Sequence, residues 1–172
     1  GDAGRNFKHS LLFYGIDALA PGYAARCAEL NVPFRAVRKR RGLDAAAVGR
    51  ATSALEELRP DVVLLHSPSL ALPVRAWCLA RGASLVGVDH TCNGVKARGD
   101  WVRAFLAHRL AETTVVLTEP HRRELRRAWG RFAGAESRVA VIGNGIDVAR
   151  FASQPRLAGA RRVFGMHSRF TP

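Results

Sequence analysis

No apolar run in this sequence approaches the ~18–20 residues that a membrane-spanning helix needs, which argues against such a span. The opening Gly1-Asp2-Ala3-Gly4-Arg5 lacks the basic-then-apolar order of a signal peptide. A cytoplasmic protein, or one held peripherally on the inner face of a membrane, is expected. Cysteine is scarce: Cys27, Cys78 and Cys92 are odd in number and far apart, with no C-x-x-C pair and no histidine at metal-ligand spacing. That pattern argues against a disulfide framework or a zinc site, and the three thiols read as small buried apolar groups in a reducing compartment. No G-x-G-x-x-G follows the first strand-like run, so a dinucleotide-binding dehydrogenase domain lacks its pyrophosphate cradle. Lysine is rare too, at Lys8, Lys39 and Lys96 among 27 basic residues.

What is abundant is arginine. The formal charge of +13 favours an anionic partner, whether phosphate, nucleic acid or acidic lipid, but does not choose among them. Interleaved exposed aromatics, which a nucleic-acid surface would need, are not evident: Trp77, Trp101 and Trp129 stand singly in helical segments. A basic nucleic-acid- or anionic-membrane-binding module is the alternative to the reading developed below, and no nucleic acid is expected as partner. The 172 residues allow one ordinary domain, and a hydrophobic share of 48% with a charged share of 24% predicts a folded body.

Apolar runs of strand length recur at 11–14, 32–37, 62–65, 85–88, 114–117 and 139–142. Most are continuous rather than alternating, as in strands covered on both faces. Ala/Leu/Arg-rich segments at 18–30, 44–59, 69–81, 100–111 and 119–129 suit amphipathic helices. The alternation predicts an α/β fold: a Rossmann-like, mostly parallel sheet with helices on both faces. Pro60 should end the second helix, because proline disfavours helical geometry in the residue before it. Ligands in such sheets bind beyond the carboxyl ends of the strands. That edge would collect Gly15-Ile16-Asp17, His66-Ser67-Pro68, Asp89-His90-Thr91, Thr118-Glu119-Pro120 and Gly143-Asn144-Gly145.

Val139-Ala140-Val141-Ile142-Gly143-Asn144-Gly145-Ile146-Asp147 with Phe151 resembles the V-x-V-I-x-N-G-[IV]-D-x-x-x-F signature at the interdomain crossing of glycosyltransferase family 4. Three further strings fall in the family's order. Pro60-Asp61-Val62-Val63-Leu64-Leu65-His66 is similar to its P-D-V-[IV]-h-x-H strand, Val86-Gly87-Val88-Asp89-His90 to its v-x-[TD]-x-H element, and Thr118-Glu119 to its S-e step. The resemblance implies the N-terminal, acceptor-side domain of a GT-B fold over residues 1–150, with 151–172 as linker and first strand of a truncated nucleotide-sugar domain. It also implies that the family's first strand and glycine-rich loop are missing before 10–15, so that the chain is a fragment.

The activity implied is transfer of a sugar, of hexosyltransferase type, from a nucleotide-sugar donor to a sugar or lipid-linked acceptor with retention of configuration. No cofactor or metal is expected, in keeping with the absence of a D-x-D motif. His90 is the candidate catalytic residue, with Asp89, Thr91, His66 and Ser67 on the acceptor side. Asn144 and Gly145, whose pairing permits positive φ and close approach of the main chain, would face the second domain, and Arg169 would grip the donor diphosphate. Arg38-Lys39-Arg40-Arg41 and the helical Arg122, Arg123, Arg126 and Arg127 are candidate contacts to an anionic membrane surface. His9, His108 and His121 are expected to need no special role. A fragment of this kind should not turn over by itself.

Overall fold

The structure is a computed structural model that describes residues 7–130 and 138–145. Six strands alternate with five helices: β1 Leu11–Gly15, α1 Pro21–Glu29, β2 Phe34–Arg38, α2 Ala45–Leu58, β3 Val62–Leu65, α3 Ala71–Arg81, β4 Ser84–Asp89, α4 Arg98–Leu110, β5 Thr113–Val116, α5 Glu119–Trp129 and β6 Val139–Val141. Every strand pairing is parallel. The α/β, Rossmann-like class expected from the sequence is the one observed. Residues 151–172, including Arg169, lie outside the described residues.

Local chemistry sets the boundaries. Asp44 caps α2, its Oδ1 accepting from the Ala47 amide at 2.9 Å. At the other end Arg59 takes a left-handed conformation (φ 46°, ψ 55°) and its amide still reaches the Leu55 carbonyl, so the helix stops before Pro60. Thr118 caps α5, accepting from the His121 amide, and Pro120 sits in the first turn, where no amide is needed. Gly82 (φ 69°) closes α3.

The described strands form two parallel sheets, β1-β2 and β3-β4-β5-β6. The two share a core. Ala51 and Leu55 of α2, Trp77 and Cys78 of α3, and Leu65 and Leu85 pack together, with Leu12 and Tyr14 of β1 against them. A second cluster joins Val116, Leu125, Trp129 and Val139, with Trp101 and Phe105 completing it. Leu85, Leu125 and Val116 are fully buried, and each such burial is worth about 1.5–3 kcal/mol relative to exposure.

Strand alternation sorts the faces. Leu12, Tyr14, Val63, Leu65 and Leu85 point toward α2 and α3, whereas Phe13 points the other way and meets Tyr23 of α1 at 5.7 Å. On that second face Val62 and Leu64 are 52% and 60% exposed.

Candidate functional site

The site forms where β3 and β4 end. Leu65 lies opposite Gly87 in the ladder, so the chain leaves the sheet at His66 beside the point where it leaves again at His90. After His66 a single 3₁₀ turn, Pro68–Leu70, leads into α3, with the Ser67 and Ser69 hydroxyls 2.9 Å apart across it. Beneath the two histidines is a cavity of about 100 Å³, floored by Gly87, Ala104, Ala107, His108 and Thr114. Gly87 keeps that floor low: a Cβ there would stand 3.4 Å from the Ala111 Cβ and 3.6 Å from the Thr114 hydroxyl.

His66 Nδ1 and His90 Nε2 are 2.7 Å apart, and the rings lie nearly parallel with centroids at 5.0 Å. An N-to-N contact this short requires one ring to donate and the other to offer a lone pair. When His90 Nε2 is the donor, His90 Nδ1 keeps a free lone pair for a substrate hydroxyl. Burial pushes the His66 pKa below the ordinary histidine range, and a charge on His90 would push it further. Both effects favour the neutral form of His66.

Asp89, adjacent to His90, points to the opposite side of the strand, as side chains on extended backbone do. Its Oδ2 accepts from Lys96 Nζ at 2.6 Å and its Oδ1 from the Thr91 amide at 3.1 Å. The Lys96 side chain is 5% exposed and that of Asp89 17%, so this ion pair is largely sequestered. His121 Nε2 stands 3.6 Å from the same carboxylate and has no hydrogen-bond partner among the described residues. Burial lowers the His121 pKa; Asp89 opposes that shift and Lys96 adds to it. Glu124 of α5 accepts from the Gly94 amide at 2.9 Å. The loop that carries His90 is thus fastened at Thr91, Gly94 and Lys96.

The sequence brought forward Asp89 and Thr91 as acceptor-side groups, and the structure engages the Asp89 carboxylate with the loop and the interior. Lys96 and Glu124 were not singled out, and His121, expected to need no special role, is buried beside the Asp89 carboxylate. The one sequence signal was that Lys96 is a lone lysine in an arginine-rich region. His108, expected to need no explanation, is buried, with Nδ1 2.9 Å from the Thr114 hydroxyl, and lines the cavity.

Asn144 and Gly145 follow β6, exposed, at the carboxyl end of that strand, and neither uses the positive φ that the pair permits. Arg122 pairs with Glu119 at 2.8 Å, while Arg123 and Arg127 are exposed along α5. Arg38, Lys39, Arg40 and Arg41 run from the end of β2 toward α2 and wall a separate cavity. Among the described residues no three His, Cys, Asp or Glu side chains converge as metal ligands.

Residues 3–150 match the sequence model of Glycosyltransferase Family 4, and a match over most of the chain shows that it belongs to that family. No curated protein matches the chain.

Proposed function

From that membership, we propose that this chain forms the acceptor side of the cleft in a retaining glycosyltransferase that uses a nucleotide-sugar donor. The exposed His66–His90 pair over its cavity carries the reading, because it is a free hydrogen-bonding group at the strand edge where such sheets bind ligands. His90 receives the acceptor hydroxyl and His66 fixes its ring and tautomer. The acceptor oxygen forms its bond to the anomeric carbon on the face from which the donor diphosphate departs, so configuration is retained, and the hydroxyl proton passes to His90 Nδ1 as the bond to the diphosphate breaks. A second domain must close over both substrates to keep water from the donor. Donor contacts come from that domain, with Asn144 and Gly145 at the crossing and Arg169 on the diphosphate. No cofactor or metal takes part.

The split between the sheets supports a further element of this reading: a parallel strand between β1 and β3 completes a single sheet. No ladder joins β1 to β3 among the described residues, although both contribute to one core. Moving outward from β1 to β2 the chain crosses on the Phe13 face, through α1. A right-handed crossover from an inserted strand into β1 would lay its helix on that same face, where Val62 and Leu64 stand exposed. Three free thiols suit a reducing, cytoplasmic setting, and the basic face of α5, with Arg123 and Arg127, suits contact with an anionic inner membrane surface.

The test compares the 172-residue chain with the protein extended in both directions through its reading frame, for sugar transfer from nucleotide sugars. Turnover by the long form alone supports the two-domain reading; turnover by this chain overturns it. Extension on the N-terminal side alone should raise the melting temperature and slow amide exchange in β1 and β3. Unchanged exchange there contradicts the inserted strand.

A further inference from the structure

We propose that the cavity between the ends of β1 and β2 and the start of α2 is a binding site for a phosphate-bearing ligand. It encloses about 700 Å³ and is lined by Arg38, Lys39, Arg40, Arg41 and Arg50, with Asp44 as its one carboxylate.

The carboxylate counter-ions lie elsewhere. Six arginines outside this cavity meet one: Arg26 with Glu29, Arg35 with Glu57, Arg75 with Glu112, Arg81 with Glu56, Arg103 with Asp100 and Arg122 with Glu119. None of the five cations around this cavity has such a pair among the described residues. Asp44 makes no close ion pair with them: its two oxygens accept from the Arg40 and Ala47 amides, and its single charge offsets only part of the field of Arg40 and Arg50. Those same bonds hold its carboxyl below the usual range, so it stays an ionised helix cap.

Three of the five cations are also held in place. Arg38 Nε donates to the Ile16 carbonyl at 3.1 Å, Arg50 to the Arg38 carbonyl at 2.8 Å, and Lys39 Nζ to the Arg40 and Gly42 carbonyls. Neutral acceptors fix the positions of these groups without cancelling their charge, and each guanidinium keeps further N–H donors for an anion. Five like charges gathered at one hollow repel one another, and a multiply charged anion relieves that repulsion while accepting several charge-assisted hydrogen bonds. Concavity separates this cluster from the arginines of α5, which project from a helix face.

A phosphate ester at this site, like His90, meets the carboxyl ends of parallel strands. Identifying the ligand as the phosphate-bearing acceptor of the transfer reaction rests on the proposed function; binding itself does not, and is measured without turnover.

Isothermal titration of the chain with inorganic phosphate and with pyrophosphate provides the test. Flotation with phosphatidylcholine vesicles, with and without phosphatidylglycerol, distinguishes a lipid head group from a free phosphate. Arg40→Ala/Arg41→Ala, at exposed positions, should weaken binding about tenfold or more, as loss of hydrogen bonds from charged donors implies. Arg26→Ala/Arg103→Ala, exposed arginines away from the cavity that pair with Glu29 and Asp100, serves as the control of equal charge loss. Pyrophosphate binding lost only in the first variant supports a free phosphate ester, and anionic-vesicle binding lost only in the first variant supports a lipid phosphate. No binding of any probe, or equal loss in both variants, overturns the proposal.

Discussion

Asp89 and His90 are neighbours in the chain and opposites in the structure. Asp89 faces inward and is joined to a nearly inaccessible lysine, a backbone amide and a buried histidine. His90 faces outward, and its close partner is another exposed imidazole. A peptide bond separates an ion pair that shapes the loop from a ring left available to a ligand. The difference teaches that polarity at a strand end does not by itself mark a substrate contact: what the side chain already holds decides.

The largest effect is expected from breaking the inward half. Asp89→Ala takes the carboxylate out of the largely sequestered Asp89–Lys96 ion pair, and removing one partner of such a pair costs about 3–5 kcal/mol. Urea unfolding should show that loss, and a change within about 0.5 kcal/mol, as for ordinary surface substitutions, would remove the distinction between the two residues.

Gly87→Val sharpens the comparison from below. Its Cβ position already stands 3.4 Å from Ala111, so a branched side chain there overpacks the interface with α4 and fills the cavity floor. Thermal melts should report a cost of about 1–3 kcal/mol.

Smaller again is the effect of acid. The pKa values of His66 and His121 are both lowered in the folded state from 6.5, so near that pH the unfolded chain binds more protons than the folded one. Stability should therefore be fully present above pH 6.5, fall as pH drops below it, and level off once both folded-state values are passed. Repeating the pH series with His121→Gln should flatten the slope, and an unchanged slope would mean that His121 does not carry it.

The smallest effect on stability belongs to Arg123→Ala/Arg127→Ala on exposed α5, within about 0.5 kcal/mol. Its predicted consequence is weaker flotation with phosphatidylglycerol vesicles. A large loss of stability would make these arginines part of the fold.

Much of this architecture was legible in the sequence. Continuous runs such as 62–65 and 85–88 gave the strands, and the Arg59-Pro60 step gave the end of α2, because both are local effects of side-chain pattern and proline sterics. His66 and His90 were legible as strand-end groups, but not their contact, which depends on the β3–β4 register. The Asp89–Lys96–His121 cluster was not legible, since it is made by packing α5 beside the loop after β4. The resemblance implied a missing strand before 10–15, but not where the sheet breaks: β1 and β3 each read as ordinary strands, and only pairing shows that among the described residues neither has a neighbour on one edge.

In the proposed function His90 acts on substrate while Asp89 holds the loop, and sugar transfer by the protein extended through its reading frame and carrying His90→Ala, measured together with the melting temperature, tests this division. A fall in kcat of about a hundredfold or more is expected, the range for a positioned acid–base group, with melting unchanged. A variant that transfers sugar at the normal rate, or that loses activity only in step with its stability, would contradict it.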